Sequence, residues 1–357
     1  MQFNTLGNSN LKVSQICLGT MTYGEQNTQQ EAFEQLDYAV SQGINFIDTA
    51  ELYAIPPKAE TYGATEAIIG NWLAKRGRRD DLVLASKIAG LGADWVGHIR
   101  KGKSRFDDKN ISEALDNSLQ RLQTDYLDLY QLHWPERQTN YFGKLGYQHD
   151  ATEETMTPVI ETLQALEKQV KAGKIRYIGL SNETPWGLMQ FISVAKAMNL
   201  PVIASVQNPY SLLNRTYEIG CAEISYRENV PLLAYSPLGF GVLTGKYLHN
   251  NAPANARMSL WPHYARYSNP QAVQATQSYV DLAQRHQLDP AQMALAYVNS
   301  RPFVAATIIG ATTMEQLKTN IGSEQLMLSD EVVASIEDIH KTLPNPAPLT
   351  LLFRNVR

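Results

Sequence analysis

The sequence predicts an α/β protein built as a (β/α)8 TIM barrel, and two observations support this. Short apolar segments alternate with longer amphipathic segments along the chain of 357 residues. Almost every apolar segment ends in a polar residue, as the strands of such a barrel do at its C-terminal mouth. Because no Ser/Gly-rich or charge-rich linker interrupts this alternation, we expect one domain over residues 1–357.

The predicted strands are short and mostly apolar, which is typical of parallel strands covered by helices. They are 15–20, 45–50, 82–87, 126–133, 175–181, 202–207, 231–236 and 304–310. We expect a short β-hairpin before the first of them and long loops at the C-terminal face. A doubly wound sheet is the alternative fold. It is disfavoured because the first strand continues into GTMTYG, which is not the G-x-G-x-x-G fingerprint.

The amphipathic segments between the strands carry helix end signals. Gly43 and Gly173 stand where helices are expected to end, and lysines precede Gly173. Pro185 stands early in its segment, where its missing N–H costs nothing. Asn110, with Glu113 three residues later, resembles a capping box that begins a helix.

Composition and charge exclude several classes of protein. The formal net charge of −4 argues against a nucleic-acid binder, which usually carries a basic face. No run of about 18 apolar residues predicts a membrane span. The first residues lack a basic region followed by an apolar one, so no secretion signal is expected. Cys17 and Cys221 are then expected to be reduced core residues of a cytoplasmic protein.

The strand ends, taken in order, place polar groups where a barrel has its mouth. They are Gly19-Thr20, Asp48, Lys87, His133, Ser181-Asn182, Gln207, Tyr235-Ser236 and Gly310. A carboxylate such as Asp48 at the tip of a hydrophobic strand needs a partner, since its desolvation is costly. Taken singly, His133 is more typical of a structural histidine and Lys87 of a solvated strand end. The joint pattern indicates a site.

No metal site is expected at these strand ends. The seven histidines show neither H-E-x-x-H nor H-x-x-E-H spacing, and the strand ends lack clustered His and Asp ligands. A metal-dependent barrel hydrolase or lyase is therefore disfavoured. An ATPase is also disfavoured, because LTGKY does not complete a P-loop. Phe240 occupies the first glycine position of that motif, and Tyr247 follows the lysine.

Six segments in order resemble the signature segments of the aldo-keto reductases. They are FIDTAELY, LASK, LYQLHWP, IGLSN, QNPYS and YSPLGFGVLTGKY. The resemblance runs from FNTLGNSNLKVSQICLGTMTYG near the start to GATTMEQLKTNI. The segments PPKAETYGATEAIIGNWLAKRG, RQTNYFGKLGY and VQNPYSLLNR are similar to the bacterial Tas-type group within that family.

The resemblance implies NADPH-dependent reduction of aldehydes or ketones with a catalytic tetrad of Asp48, Tyr53, Lys87 and His133. Tyr53 would be the general acid, although a free phenol has a pKa of about 10. Lys87 would stabilise the phenolate and pair with Asp48, while His133 would orient the carbonyl. A regulatory protein of the potassium-channel β-subunit type is the alternative. That branch lacks the histidine, so His133 favours an enzyme.

The resemblance also implies an extended nicotinamide dinucleotide across the mouth, with NADP favoured over NAD. Ser181, Asn182 and Gln207 would bind the carboxamide, and Tyr235 would stack on its ring. Near the phosphates, Gly239 and Gly241 would allow close backbone approach. Lys246 and Arg257 are candidate phosphate contacts, Thr312 and Gln316 would approach the ribose 2′-phosphate, and Asn320 would meet the adenine. The other predicted contacts are Gly19, Thr20, Met21, Asp48, Ser236, Pro237, Leu238 and Gly310. Gln316 and Lys318 stand where many relatives place an arginine, which leaves the choice between NADP and NAD open.

The expected partner is a small-molecule carbonyl substrate, with no nucleic acid and no membrane. Tyr23, Trp134 and Tyr210 follow strand ends and are candidate substrate contacts, although each is equally compatible with rim packing. The loops 95–109 and 136–155 are long and polar, and such loops are often functional or mobile. The tail 343–357 could close over the pocket or mediate association. Substrate identity, reaction direction and oligomeric state are left open.

Overall fold

The computed structural model describes residues 1–92, 95–149 and 156–347, and it contains a closed barrel of parallel strands. An antiparallel hairpin, β1 (Phe3–Thr5) and β2 (Lys12–Ser14), comes first. The barrel strands are β3 (Ile16–Gly19), β4 (Phe46–Asp48), β5 (Val83–Ile88), β6 (Leu127–Leu132), β7 (Ile175–Ser181), β8 (Ile203–Pro209), β9 (Leu232–Tyr235) and β10 (Val304–Ile309). Consecutive strands are neighbours, and β10 pairs with β3 to close the barrel. The predicted fold class is confirmed.

Helices follow the strands on the outside of the barrel. They are α1 (Gln29–Ser41), α2 (Ala64–Arg76), α3 (Asp108–Leu122), α4 (Val159–Lys171), α5 (Pro185–Met198), α6 (Tyr217–Gly220), α7 (Ala222–Glu228), α8 (Arg257–Leu260), α9 (Pro270–Arg285), α10 (Pro290–Asn299), α11 (Met314–Gly322) and α12 (Asp330–Thr342). Thr184 is the N-cap of α5, and Pro185 lies in its first turn, where it was predicted. In the described part of the chain, no helix is long and apolar enough to cross a membrane.

The predicted start of α3 is wrong. Asn110 is not the N-cap, because the carboxylate of Asp107 accepts from the Asn110 backbone N–H at 2.8 Å. Asp107 is as good a capping residue as asparagine, and its negative charge also suits the helix N-terminus. The helix therefore begins at Asp108, less than one turn before the predicted start.

The hairpin closes the N-terminal end of the barrel. Leu6, Leu11 and Val13 pack against interior residues such as Phe46. Gly7 allows this close approach, since its φ is +52° and a Cβ there would lie 2.4 Å from the Ala204 carbonyl oxygen. The C-terminal end is therefore the end at which an interior site can be open.

Two predicted mouth elements fall partly outside the described residues. Of the loop 136–155, residues 150–155 lie outside them, and of the tail 343–357, residues 348–357 do. The described end of the tail is anchored near the β8 loop. There the Asn269 side chain donates to the Pro346 carbonyl oxygen at 2.8 Å, and the Ala347 N–H donates to Leu213 O at 3.2 Å. Cys17 and Cys221 are both free and buried.

Candidate active site

Alternation of side chains along β4, β5 and β6 carries three polar groups into the barrel. On β4, Phe46 and Asp48 face the interior of the barrel, whereas Ile47 packs outward against the helices. By the same period of two, Lys87 lies inside at the end of β5, and Gln131 lies inside next to it on β6. These side chains form a polar layer, with Gln207 of β8, at the C-terminal end of the barrel interior.

Lys87 and Asp48 form a buried ion pair in this layer. Lys87 Nζ lies 2.6 Å from Asp48 Oδ2, and the two side chains are 0% and 3% exposed. Nζ also donates to the Thr49 carbonyl oxygen at 2.8 Å and to the Tyr53 hydroxyl at 3.4 Å. An ammonium has three donors, so all of them have acceptors. The pairing that Asp48 requires is thereby supplied by Lys87.

Tyr53 is the member of this group that reaches toward the mouth. Its side chain is half-buried, and its ring lies 4.9 Å from Lys87 Nζ. Its hydroxyl accepts from Lys87, but within residues 1–92, 95–149 and 156–347 its own O–H has no acceptor. The phenol proton is therefore available to a ligand.

The ionisation of Tyr53 and Lys87 is set by burial and by each other. Burial raises the pKa of Tyr53, and the positive charge of Lys87 opposes that rise. Burial alone would lower the pKa of Lys87, but the attraction of Asp48 and Tyr53 outweighs it and the pKa is raised. Lys87 is accordingly an ammonium at neutral pH, next to a protonated phenol.

His133 stands directly after β6 and faces Tyr53. The two ring centroids are 5.7 Å apart and the rings are nearly perpendicular, at 78°. Its backbone N–H donates to Ile88 O at 2.9 Å, which extends the sheet by one residue. Burial lowers the pKa of His133 well below its ordinary value, and Lys87 lowers it further. His133 is therefore a neutral imidazole at pH 7, able to donate one N–H.

The loop that carries Tyr53 is held by a buried acidic residue that sequence reasoning missed. Glu51 is fully buried and accepts from Arg100 at 2.5 and 2.8 Å through both carboxylate oxygens. It also accepts from the Ala89 N–H at 2.6 Å and from the Tyr62 hydroxyl at 3.0 Å. The signal was present in FIDTAELY, because a second carboxylate three residues after Asp48 also needed a cation.

The predicted carboxamide residues lie together at the ends of β7, β8 and β9. Tyr235 donates its hydroxyl to Asn182 Oδ1 at 2.5 Å, and Asn182 Nδ2 donates to the His133 carbonyl oxygen at 2.9 Å. Ser181 Oγ donates to Gln207 O at 2.9 Å. These contacts fix the side chains beside the tetrad, where a planar ring system could rest on Tyr235.

The segment after β9 brings three cations together. Arg257 and Arg266 both pack on the Phe240 ring, with guanidinium carbons 4.9 and 5.1 Å from its centroid. Lys246 folds over Gly241, where a Cβ would lie 2.7 Å from Nζ. Burial lowers the pKa of Lys246, and Arg257 lowers it further. In the described residues none of the three cations has a carboxylate partner, so this segment suits an anion. Arg266 was not predicted.

Several other predicted cofactor residues follow the C-terminal ends of β3 and β10. Thr20 is buried and donates through Oγ1 to Asp48 O at 2.8 Å. At the start of α11, the Thr312 N–H donates to Gln316 Oε1 at 3.0 Å, and buried Asn320 donates to Gly310 O at 3.1 Å. Gly310 itself is open, since a Cβ there would meet nothing within 4 Å.

Two of the three predicted substrate contacts are wrong. Tyr23 is fully buried in the core and donates its hydroxyl to Gln35 at 3.1 Å. Tyr210 is also fully buried, and it bonds Glu218 and packs on Phe303. A position after a strand does not determine on which side of the strand an aromatic ring packs, and both rings pack away from the mouth.

Trp134 does lie beside the tetrad. Its ring centroid is 4.9 Å from His133 and 4.8 Å from Trp95, and Phe142 packs edge-on against it. Trp134 is fully buried, whereas Trp95 is 42% exposed. Trp95 and Phe142 therefore form the outer surface of this aromatic cluster, and sequence reasoning named neither as a contact. A small cavity beside Trp134 is lined by Phe106, Arg137 and Ser181, and Tyr53 does not line it.

Comparison with known proteins identifies the family of the chain. The model of the aldo/keto reductase family matches residues 15–341. The chain belongs to the aldo/keto reductase family. It is 55% identical over 348 residues to "Protein tas" of Escherichia coli (strain K12), covering 98% of this chain and 100% of that relative. This similarity confirms the predicted resemblance to the Tas-type group.

Two more distant relatives are similar over almost their whole length. "Uncharacterized oxidoreductase YrpG" of Bacillus subtilis (strain 168) is 34% identical over 342 residues, 95% of this chain and 96% of the relative. A "Probable voltage-gated potassium channel subunit beta" of Oryza sativa subsp. japonica is 33% identical over 353 residues, 96% and 98% of the two chains. Family membership identifies the chain as an oxidoreductase of the aldo/keto reductase type.

Proposed function

We propose that the chain is an NADPH-dependent reductase of aldehydes or ketones in which Tyr53 is the general acid. The observation that carries this proposal is the arrangement around the Tyr53 hydroxyl. It accepts from Lys87 at 3.4 Å, and in the described residues its proton has no protein acceptor. A phenol with a cation on one side and an open mouth on the other can give a proton to a carbonyl oxygen.

Each member of the tetrad has a distinct task in this proposal. Tyr53 transfers its proton to the carbonyl oxygen, and Lys87 stabilises the phenolate that remains. Asp48 holds Lys87 as an ammonium through the 2.6 Å contact. His133 is neutral and within reach of the same oxygen, so it orients and polarises the carbonyl as a hydrogen-bond donor.

The residues present fit a nicotinamide dinucleotide phosphate. When bound, it supplies the hydride that adds to the carbonyl carbon. Ser181, Asn182 and Gln207 would hold the carboxamide end and Tyr235 the ring face. Lys246 and Arg257 would hold the phosphates, because both are half-buried cations without carboxylate partners in the described residues. Burying an unpaired cation is costly, so a bound anion is the expected compensation.

The proposal is tested by fluorescence titration with NADPH and NADH, followed by a panel of aldehydes, quinones and dicarbonyls. We expect tight NADPH binding and substrate-dependent oxidation. Tyr53→Phe should bind NADPH as the wild type does and lose roughly 10²–10⁴-fold in turnover, the usual contribution of a general acid. If Tyr53→Phe keeps most of its activity on a simple aldehyde, the assignment of the acid is wrong.

A second candidate function is a coenzyme-binding regulatory protein with little turnover. It is favoured only by the relative named as a potassium channel β subunit, at 33% identity. The same titration separates the two candidates. Tight binding without turnover on any carbonyl would favour the regulatory protein, whereas binding of neither nucleotide would contradict both.

A further inference from the structure

The side chain of Gln131 lies between Asp48 and Gln207, and it is hydrogen-bonded to both. Gln131 is fully buried inside the barrel. Its Nε2 donates to Asp48 Oδ1 at 3.1 Å, and its Oε1 accepts from Gln207 Nε2 at 3.2 Å. Gln207 Nε2 also donates to Asp48 Oδ1, at 2.9 Å. Gln131 is therefore hydrogen-bonded both to Asp48, which pairs with Lys87, and to Gln207, which is predicted to contact the carboxamide.

These contacts fix the orientation of the Gln207 amide. A carboxylate only accepts hydrogen bonds, so both glutamines must present their NH2 groups to Asp48. The Gln207 NH2 has two hydrogens, and these are taken by Asp48 and by Gln131 Oε1. Only the Gln207 amide oxygen remains for a ligand. Without Gln131, one N–H of Gln207 has no protein acceptor and can turn to a ligand instead.

The neighbouring strand provides the space that Gln131 needs. Gly179 on β7 is in register with Gln131, and a Cβ on Gly179 would lie 3.2 Å from Gln131 Cγ. That distance is tighter than ordinary van der Waals contact, so a larger residue at 179 would press on the Gln131 side chain, and also on Ser205 Oγ at 3.2 Å and Leu129 Cδ1 at 3.3 Å. The room for Gln131 therefore depends on a glycine inside the barrel.

We propose that Gln131 is a positioning residue that occupies one N–H of Gln207 and one oxygen of Asp48, so that Gln207 offers a ligand only its amide oxygen. This inference rests on the proposed function, because it concerns how the carboxamide of NADP is recognised. It makes the coenzyme site depend on the same hydrogen-bond array that holds the Asp48–Lys87 pair. The ligand group that an amide oxygen recognises is an N–H donor, which the carboxamide NH2 supplies.

The test compares the binding of NADP+ with that of its 3-acetylpyridine analogue, in which a methyl ketone replaces the carboxamide. The analogue has no N–H for Gln207, so it leaves a buried acceptor unpaired. We expect the wild type to bind NADP+ more tightly than the analogue, on the order of tenfold. Gln131→Met keeps the length of the side chain but removes both hydrogen bonds, and it should reduce this preference at least about threefold. Quenching of tryptophan fluorescence measures both dissociation constants without turnover.

Two further variants make the test specific. Gly179→Ala should reduce the preference in the same direction by displacing Gln131, and it serves if Gln131→Met fails to fold. Ser205→Ala is the matched control, because Ser205 is buried on β8 beside Gly179 and its hydroxyl has no partner in the described residues. This control should leave the preference unchanged.

The outcomes separate this inference from the proposed function. If Gln131→Met and Gly179→Ala weaken the binding of both nucleotides equally, or leave both unchanged, Gln131 has only a structural role and the inference is overturned. A wild type that binds both nucleotides equally well also overturns it, but leaves the proposed function standing. A wild type that binds no NADP+ overturns both.

Discussion

Separating the Lys87–Asp48 pair should cost the protein several kilocalories of stability, and its geometry gives the size of that cost. At 2.6 Å, two unit charges in an effective dielectric of about 20 attract by roughly 6 kcal/mol. The loss of hydration of each ion, several kcal/mol, offsets most of this attraction. Removing only one partner leaves the other charge buried, so we expect a loss of about 3–5 kcal/mol for either single variant.

Asp48→Asn is the sharper of the two perturbations. Asp48 accepts from Lys87 through one oxygen and from Gln131 and Gln207 through the other. An asparagine has one oxygen, so it can accept from Lys87 or from the glutamines but not from both. The double variant Asp48→Asn/Lys87→Met leaves neither charge buried without its partner. We therefore expect its loss of stability to be smaller than the sum of the two single losses by about 2–3 kcal/mol.

The assay is equilibrium unfolding in urea without coenzyme, followed by both far-UV circular dichroism and tryptophan fluorescence. Coincident transitions are required before free energies are compared. Because the folded pKa of Lys87 is raised above its ordinary 10.5, its contribution is complete below that pH and is lost only as pH rises through the folded value. The difference between wild type and Lys87→Met should thus be constant from about pH 7 to 9. Strictly additive losses in the double variant would refute the reasoning.

Three other changes test separate parts of the site. Because burial holds the pKa of His133 below its ordinary 6.5, the unfolded chain binds a proton on this histidine more readily than the folded chain does, so stability falls as pH drops below that value. His133→Gln should remove this contribution and flatten the loss in unfolding measured at about pH 5 and 7. Lys246→Met should weaken NADPH binding and reduce its salt dependence, measured by titration at two ionic strengths, and unchanged salt dependence would contradict the phosphate role. Arg100→Met strands the buried Glu51 carboxylate, so the melting temperature should fall by several degrees, and an unchanged melting temperature would show that the pair does not hold the Tyr53 loop.

The barrel was predictable because it depends on short-range pattern, whereas the tetrad was predicted from the resemblance of FIDTAELY, LASK and LYQLHWP to the aldo-keto reductases. A period of two along FIDTAELY places Asp48 inside the barrel, and the same period places Lys87 there at the end of LASK. Parallel strands then bring their C-terminal ends to one mouth, whatever the separation in sequence. The cost of burying an unpaired carboxylate indicated that Asp48 needs a partner, and the resemblance to the aldo-keto reductases implied that this partner is Lys87.

The errors and omissions depend on long-range packing. Tyr23 and Tyr210 follow strands but pack into the core, where their hydroxyl groups donate hydrogen bonds to Gln35 and Glu218. The partner of Glu51 is Arg100, 49 positions later in a loop without periodicity. Likewise, Arg266 and Arg257 both pack on Phe240, a contact between irregular segments. Local sequence does not specify which distant loops will meet.

The polar layer at the top of the barrel is better explained by chemistry than by stability. A buried ion pair contributes little more to stability than well-packed apolar residues of similar volume, and often less. Here an ion pair and two glutamines fill positions that apolar side chains would otherwise fill in a barrel interior. Lys87 uses all three donors and Asp48 both oxygens within the protein. In the described residues, the Tyr53 O–H is left without an acceptor, so the layer as a whole presents one proton to the mouth, which is what the proposed carbonyl reduction requires.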